Sequence, residues 1–72
     1  MKIDGIKVHR SITVQRVCNA VEAHNVGLED PGFCLACGAD AFAVEPDAEH
    51  YECEICGEKA VFGASNLLVY IA

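Results

Sequence analysis

The chain has 72 residues, a formal net charge of −6 and five cysteines. That length fits one small domain and is too short for a large core, so it calls for a staple such as a metal ion. No run nears the roughly 20 apolar residues of a membrane span, which excludes a helical membrane protein.

The charge is unevenly placed. Residues 1–16 carry Lys2, Lys7, Arg10 and Arg16 against Asp4, a net of +3. Residues 29–59 hold Glu29, Asp30, Asp40, Glu45, Asp47, Glu49, Glu52, Glu54 and Glu58 against Lys59, a net of −8. A segment that gripped phosphates would need the opposite sign.

Residues 1–12 read as a leader with a brief edge strand. Ile6-Lys7-Val8 alternates after an Asp4-Gly5 turn, and His9 and Arg10 fall in solvent. The first ten residues hold no apolar run of the kind that exports a protein. The expected compartment is the cytoplasm, where thiols stay reduced.

Residues 13–27 read as a helix, with its regular part over 14–25. Thr13 can cap it, and Ile12 with Val17 has the spacing of a hydrophobic staple. Val14, Val17, Cys18 and Val21 recur at the period of one buried face. Gln15, Arg16, Asn19 and Glu22 fall mainly on the other side. The β-branched residues weaken this helix in isolation, so it must pack on something, and the following segment is the obvious surface. Cys18 is a small core residue in this reading. His24 sits near the helix end, where positive charge is favoured.

Pro31-Gly32 ends the connector that follows. Residues 32–63 then contain the informative pattern, Cys34-Leu35-Ala36-Cys37-Gly38 and Cys53-Glu54-Ile55-Cys56-Gly57. Two cysteines three apart on a tight turn can aim both sulfurs at one ion. A second turn, brought back by a hairpin, completes a tetrahedron. The glycine after each pair supplies the positive φ by which the chain leaves the turn. Cys34, Cys37, Cys53 and Cys56 are therefore the expected ligands of one structural Zn2+ (Fe is the minor alternative). Residues 41–44 and 50–53 read as the two strands of the hairpin, with 45–48 as its turn and 60–62 as a third strand. His50 precedes Cys53 by three residues, but four thiolates already complete the coordination, so it reads as a strand residue.

Residues 64–72 are apolar. Ser65 can cap a short helix over 66–71 that packs on the first helix, although Leu-Val-Tyr-Ile also suits a strand. The expected fold is thus a small zinc-stabilised α+β domain. Its N-terminal helix packs on a zinc-ribbon antiparallel sheet, and a short helix or strand closes the chain.

A four-thiolate site leaves no open position for water or substrate, whereas catalytic zinc keeps one. No nucleophile–base pair or phosphate-cradling loop is present, so the chain reads as no enzyme. Iron in the same site would make a rubredoxin-like electron carrier, which the acidic surface would suit. The absence of tryptophan and the short separation fit that pattern less well.

From Gly32 onward the chain resembles a family of small acidic zinc-ribbon proteins of bacteriophages and prophages. The residues that carry the resemblance include Gly32-Phe33-Cys34, Ala36-Cys37-Gly38-Ala39 and Val44-Glu45-Pro46-Asp47-Ala48. Tyr51-Glu52-Cys53-Glu54, Cys56-Gly57-Glu58 and Val61-Phe62-Gly63-Ala64 continue it. The resemblance implies a zinc-ribbon fold, a structural metal, a mobile-element origin and the cytoplasm of a host cell. It implies no reaction.

The expected role is binding to a protein partner. In its sharper form the carboxylates of Glu45, Asp47, Glu49, Glu52, Glu54 and Glu58 imitate phosphates and occupy a basic groove. Such a DNA mimic could act on a host defence complex (an anti-CRISPR, for example) or on a nucleic-acid-binding protein. Glu52 and Glu54, two apart on a strand, would present as a short row. The alternative is a ribbon that binds nucleic acid directly, through Lys2, Lys7, Arg10 and Arg16. Four basic residues beside an acidic ribbon make that the weaker electrostatic case.

Overall fold

A computed structural model describes residues 2–25 and 31–71. The helix end expected at Gly27 and most of the connector lie outside the described residues.

The leader is a hairpin. β1 (Lys2–Ile3) pairs antiparallel with β2 (Ile6–Lys7) across Asp4 and Gly5, whose φ values are +50° and +81°. Two positive-φ residues match the twist that a two-residue hairpin requires. The first of these strands was not legible in three alternating residues. Ile3 and Val8 are buried, so the leader belongs to the core.

Helix α1 spans Val14–Asn25. The Thr13 hydroxyl accepts from the Arg16 amide at 3.1 Å, which is the expected cap. Gln15 donates to Asn19 one turn on, along the outer face. Ile12 and Val17 are buried, while Cys18 and Val21 are half-buried. Val14 departs from expectation, at 47% exposure. Ile12, ahead of the cap, takes the core position that periodicity assigns to Val14.

Four strands form an antiparallel sheet in the order β4-β3-β6-β5. They are β3 (Gly32–Cys34), β4 (Asp40–Ala41), β5 (Tyr51–Glu52) and β6 (Lys59–Gly63). The strands expected to pair with one another, at 41–44 and 50–53, therefore lie at opposite edges. Each pairs instead across its own cysteine turn, β3 with β4 and β5 with β6, and the two halves join through β3 and β6. Ala43, at φ +58°, turns the chain out of β4 early and leaves Phe42 63% exposed. The expected turn does form, with the Ala48 amide on the Glu45 carbonyl. It crosses from one sheet edge to the other.

That crossing segment also starts the second helix. β6 runs without a loop into α2 (Ala64–Ile71). Ser65 lies inside the helix and is not its cap. The free first-turn amides go to backbone instead, Ala64 to the Pro31 carbonyl at 3.0 Å and Asn66 to the Pro46 carbonyl at 3.1 Å. A Cβ at Gly63 would run into the Glu45 and Pro46 backbone, so glycine permits this close crossing.

The sheet places alternate residues on opposite faces. Phe33 and Phe62, directly paired, face the helices; Phe62 meets Tyr70 of α2 edge-on at 6.0 Å. Cys34 and Val61, the next pair, face the other way. α1 packs chiefly on α2, and α2 on β6, so α1 reaches the sheet mainly through its partner helix. The result is a small α+β domain, consistent with a zinc-ribbon-like fold. Among the described residues no helix is long and apolar enough to cross a membrane.

Candidate metal centre

Two matching turns carry the cysteines. In the first, the Cys34 amide meets the Ala39 carbonyl at 2.9 Å, and the Gly38 amide meets the Cys34 carbonyl at 2.8 Å. In the second, Cys53 pairs with Glu58 at 2.8 Å and Gly57 with Cys53 at 2.9 Å. Gly38 and Gly57 leave their turns at φ +81° and +78°. Equal spacing in sequence has given equal turns in space.

These turns bring together all four expected ligands, Cys34, Cys37, Cys53 and Cys56, with their sulfurs within 4.8 Å of one another. Cys34 Sγ lies 3.6 Å from Cys56 Sγ, and Cys37 Sγ 3.7 Å from Cys53 Sγ. A tetrahedron with metal–sulfur bonds of about 2.3 Å has sulfur–sulfur edges of about 3.8 Å. The donor set and its spacing therefore fit one tetrahedral ion. Neither Cys18 nor His50 joins the cluster.

The four thiols are not equivalent. The Cys56 and Ile55 amides point at Cys53 Sγ, at 3.5 and 3.3 Å, and pull that thiol down to about 7. Burial pushes the Cys34 thiol up to about 12. Cys53 offers a thiolate near neutral pH, whereas Cys34 would give up its proton to the charge of a bound cation.

The turns also differ in cover. The first lies beneath residues 9–16. The His9 amide donates to the Leu35 carbonyl at 2.7 Å, and Arg16 Nη2 donates to the Gly38 carbonyl at 2.8 Å. Arg16 continues to Asp40 Oδ1 at 2.9 Å and to Ser11, with its guanidinium 4.6 Å from the Phe33 ring centre. The helical period placed Arg16 on the outer face, but its long stem folds back over Phe33. His9, expected in solvent, is half-buried beside Ser11 and Gly38. Among the described residues the second turn is bare: Ile55 is 75% exposed, and a Cβ on Gly57 would meet nothing within 4 Å.

The six acidic candidates are all exposed. Glu49 is nevertheless engaged, accepting from Asn66 Nδ2 at 2.8 Å and from the Tyr70 hydroxyl at 3.0 Å. Glu52 lies on β5 opposite Lys59, and Glu54 lies in the cysteine turn, so the two do not form a row along one strand. Glu45 and Asp47 lie in the crossing segment, and Glu58 follows the second turn. Glu45, Asp47, Glu52, Glu54 and Glu58 form no ion pair with another described residue. His50 donates through Nδ1 to the Lys59 carbonyl at 3.2 Å and stands edge-on to Phe62 at 5.1 Å, a structural role.

Comparison with known proteins finds no matching family model, no similar curated protein and no similar solved structure.

Proposed function

We propose that the protein is a non-catalytic zinc-ribbon module that acts by docking on a protein partner, with its acidic ribbon in the place of a nucleic acid. The observation that supports docking is the exposed carboxylate set Glu45, Asp47, Glu52, Glu54 and Glu58, unpaired among the described residues. The four sulfurs satisfy a tetrahedral ion, leaving no position for substrate. In this reading the zinc holds the fold. The partner presents a basic groove, as a nuclease, a host defence complex or a transcription factor would. The resemblance to phage zinc ribbons suits an inhibitor acting in a host cytoplasm.

The test pairs direct titration with partner capture. Labelled DNA and RNA at low salt should not bind. Capture of a partner from host lysate should weaken as salt rises, because charge pairing across the interface is screened. Replacing the five carboxylates by lysine should abolish capture while metal content and melting temperature hold. Tight nucleic-acid binding would overturn mimicry in favour of a reader using Lys2, Lys7 and Arg10, since Arg16 is committed to Ser11, Gly38 and Asp40. Iron on elemental analysis would point instead to an electron carrier.

A further inference from the structure

Among the described residues, only one face of the sheet is roofed. The helices cover Phe33 and Phe62, while the face carrying Cys34 and Val61 floors an open groove of about 340 Å³. Val44 and Val61 are buried in its floor, and Phe42, Tyr51 and Ile55 stand at its sides with exposures of 63%, 43% and 75%. Cys34 and Cys53 line it but Cys37 and Cys56 do not, so it adjoins the sulfur cluster without being the metal's own space. Three large apolar side chains converging on a concave surface are more than the scattered exposure every protein tolerates.

The charges at the groove select its occupant. The charged residues lining it are Asp40, Glu52 and Glu54, with no basic residue among them. Arg16 neutralises Asp40 at 2.9 Å, and Lys59, opposite Glu52 on the neighbouring strand, makes no ion pair with it among the described residues, so the carboxylates left to a ligand are those of Glu52 and Glu54, beside Tyr51 and Ile55. A second copy of the chain would bring Glu52 and Glu54 against like charges, and each molecule carries −6 overall. A nucleic-acid backbone meets the same repulsion. A cationic side chain finds carboxylates there, and the Tyr51 and Phe42 rings offer faces on which a guanidinium or ammonium can rest. The volume lies at the low end for binding sites, enough for one anchoring side chain and its neighbours.

We propose that this groove binds a short basic segment of the partner protein, seating an aromatic or aliphatic anchor over Val61 between Phe42 and Ile55 and its flanking lysine or arginine at Glu52 and Glu54. This rests on the docking reading above and narrows it from a diffuse acidic face to a groove with an apolar floor. Glu45, Asp47 and Glu58 then steer the approach, while Phe42, Tyr51 and Ile55 hold the complex.

The test is amide chemical-shift titration of the zinc-loaded protein with three blocked pentapeptides, Lys-Phe-Lys-Phe-Lys, Lys-Ser-Lys-Ser-Lys and Glu-Phe-Glu-Phe-Glu. The first should produce saturable shifts centred on Phe42, Tyr51, Ile55 and Val61, weakened by raising salt from about 20 to about 300 mM. The other two should produce little change. Phe42→Ser and Ile55→Ser, at exposed positions that leave the fold intact, should each weaken binding about fivefold or more, the loss of roughly 1 kcal/mol of apolar contact. Glu52→Lys with Glu54→Lys should transfer the preference to the acidic peptide. Equal response to the serine peptide, shifts centred elsewhere, or no response to any peptide overturns the groove. Self-association that Ile55→Ser abolishes overturns it in favour of a second copy. Partner capture that survives Phe42→Ser and Ile55→Ser but fails on charge reversal leaves docking standing and removes the groove. Capture indifferent to both sets of changes removes both.

Discussion

Arg16 lays its guanidinium 4.6 Å from the centre of the Phe33 ring and, from that position, donates to the carbonyl of Gly38. One side chain thus ties the first helix to a sheet strand and to the first cysteine turn. Its own side chain is only 28% exposed. Arg16→Met keeps the stem and removes the donors, so it should destabilise the metal-loaded protein by about 1–3 kcal/mol in denaturant unfolding. Arg16→Lys should recover only part of that loss, because an ammonium lacks the fork that reaches Ser11, Gly38 and Asp40 together. Unfolding midpoints equal to the parent's for both variants would show the contact to be idle.

The metal prediction follows from the sulfur tetrahedron. Purified protein should carry about one zinc per chain. Cys34→Ser or Cys56→Ser should lose both the ion and much of the fold, whereas Cys18→Ala, at a half-buried position outside the cluster, should keep both. Burial holds the Cys34 thiol up at about 12, so binding expels its proton and affinity should fall as pH falls. Elemental analysis and competition with a chromogenic chelator across pH check these points.

The two turn glycines should respond differently to the same change. Both sit near φ +80°, where any side chain adds about 1–2 kcal/mol of strain. Gly57→Ala should cost about that much and no more, because nothing stands within 4 Å of the new carbon. Gly38→Ala adds a clash, with Ser11 and with His9 Nδ1 at 2.8 Å, so it should unfold at distinctly lower denaturant. Similar midpoints for the two variants would mean that residues 9–11 do not cover the first turn.

A pH window should mark the attachment of α2. The Asn66 and Tyr70 side chains donate to Glu49 and hold its carboxyl below the usual value. That bond in turn raises the Tyr70 hydroxyl to about 12. A depressed acid stabilises fully above its unfolded value, about 4.3, and loses that contribution as pH falls through the folded one. A raised phenol stabilises fully below its unfolded value, about 10, and loses that contribution as pH rises towards 12. Stability from this contact should therefore plateau between about pH 5 and 9. Glu49→Gln should flatten both limbs relative to the parent. Ring-carbon chemical shifts of Tyr70 should titrate near 12 in the parent and lower in the variant.

The three valines of α1 should differ in how well they tolerate a charge. Periodicity makes Val14, Val17 and Val21 equivalent, but they are exposed, fully buried and half-buried. Val17→Asp should cost on the order of 3 kcal/mol or more as an unpaired buried charge. Val21→Asp should cost less, and Val14→Asp should fall within about 0.5 kcal/mol of the parent, as surface changes do. Thermal melting of the three variants side by side gives the ranking.

The features legible in the sequence are the local ones. The Thr13 cap beside an apolar stripe marked where α1 begins, and each Cys-x-x-Cys-Gly run marked a turn, because hydrogen bonds within a few residues decide those structures. Strand order was not legible. Nothing local to residues 41–44 says that they pair backwards with Gly32 rather than forwards with Tyr51, and the positive φ of Ala43 has no glycine to announce it. The start of α2 was hidden for a related reason: its amides are met by the carbonyls of Pro31 and Pro46, and backbone groups leave no mark in residue types. Arg16 was misplaced because a period assigns the Cα to a face, whereas a four-bond side chain can return to the other.

The unequal cover of the two cysteine turns sets an order of disassembly. Cys34 and Cys53 are buried and Cys37 is half-buried, but Cys56 is exposed at the end of a turn that no described residue covers at Gly57. An incoming chelator thiolate would meet Cys56 first and could take its place on the ion while the other three sulfurs still hold. The cluster then has a hinged side, the Cys53–Gly57 turn, and a fixed side pinned by Arg16. Metal exchange by this route needs only the second turn to open, so it can run much faster than global unfolding. Binding a segment in the adjoining groove, against Cys53 and Ile55, would slow that exchange without touching the ion.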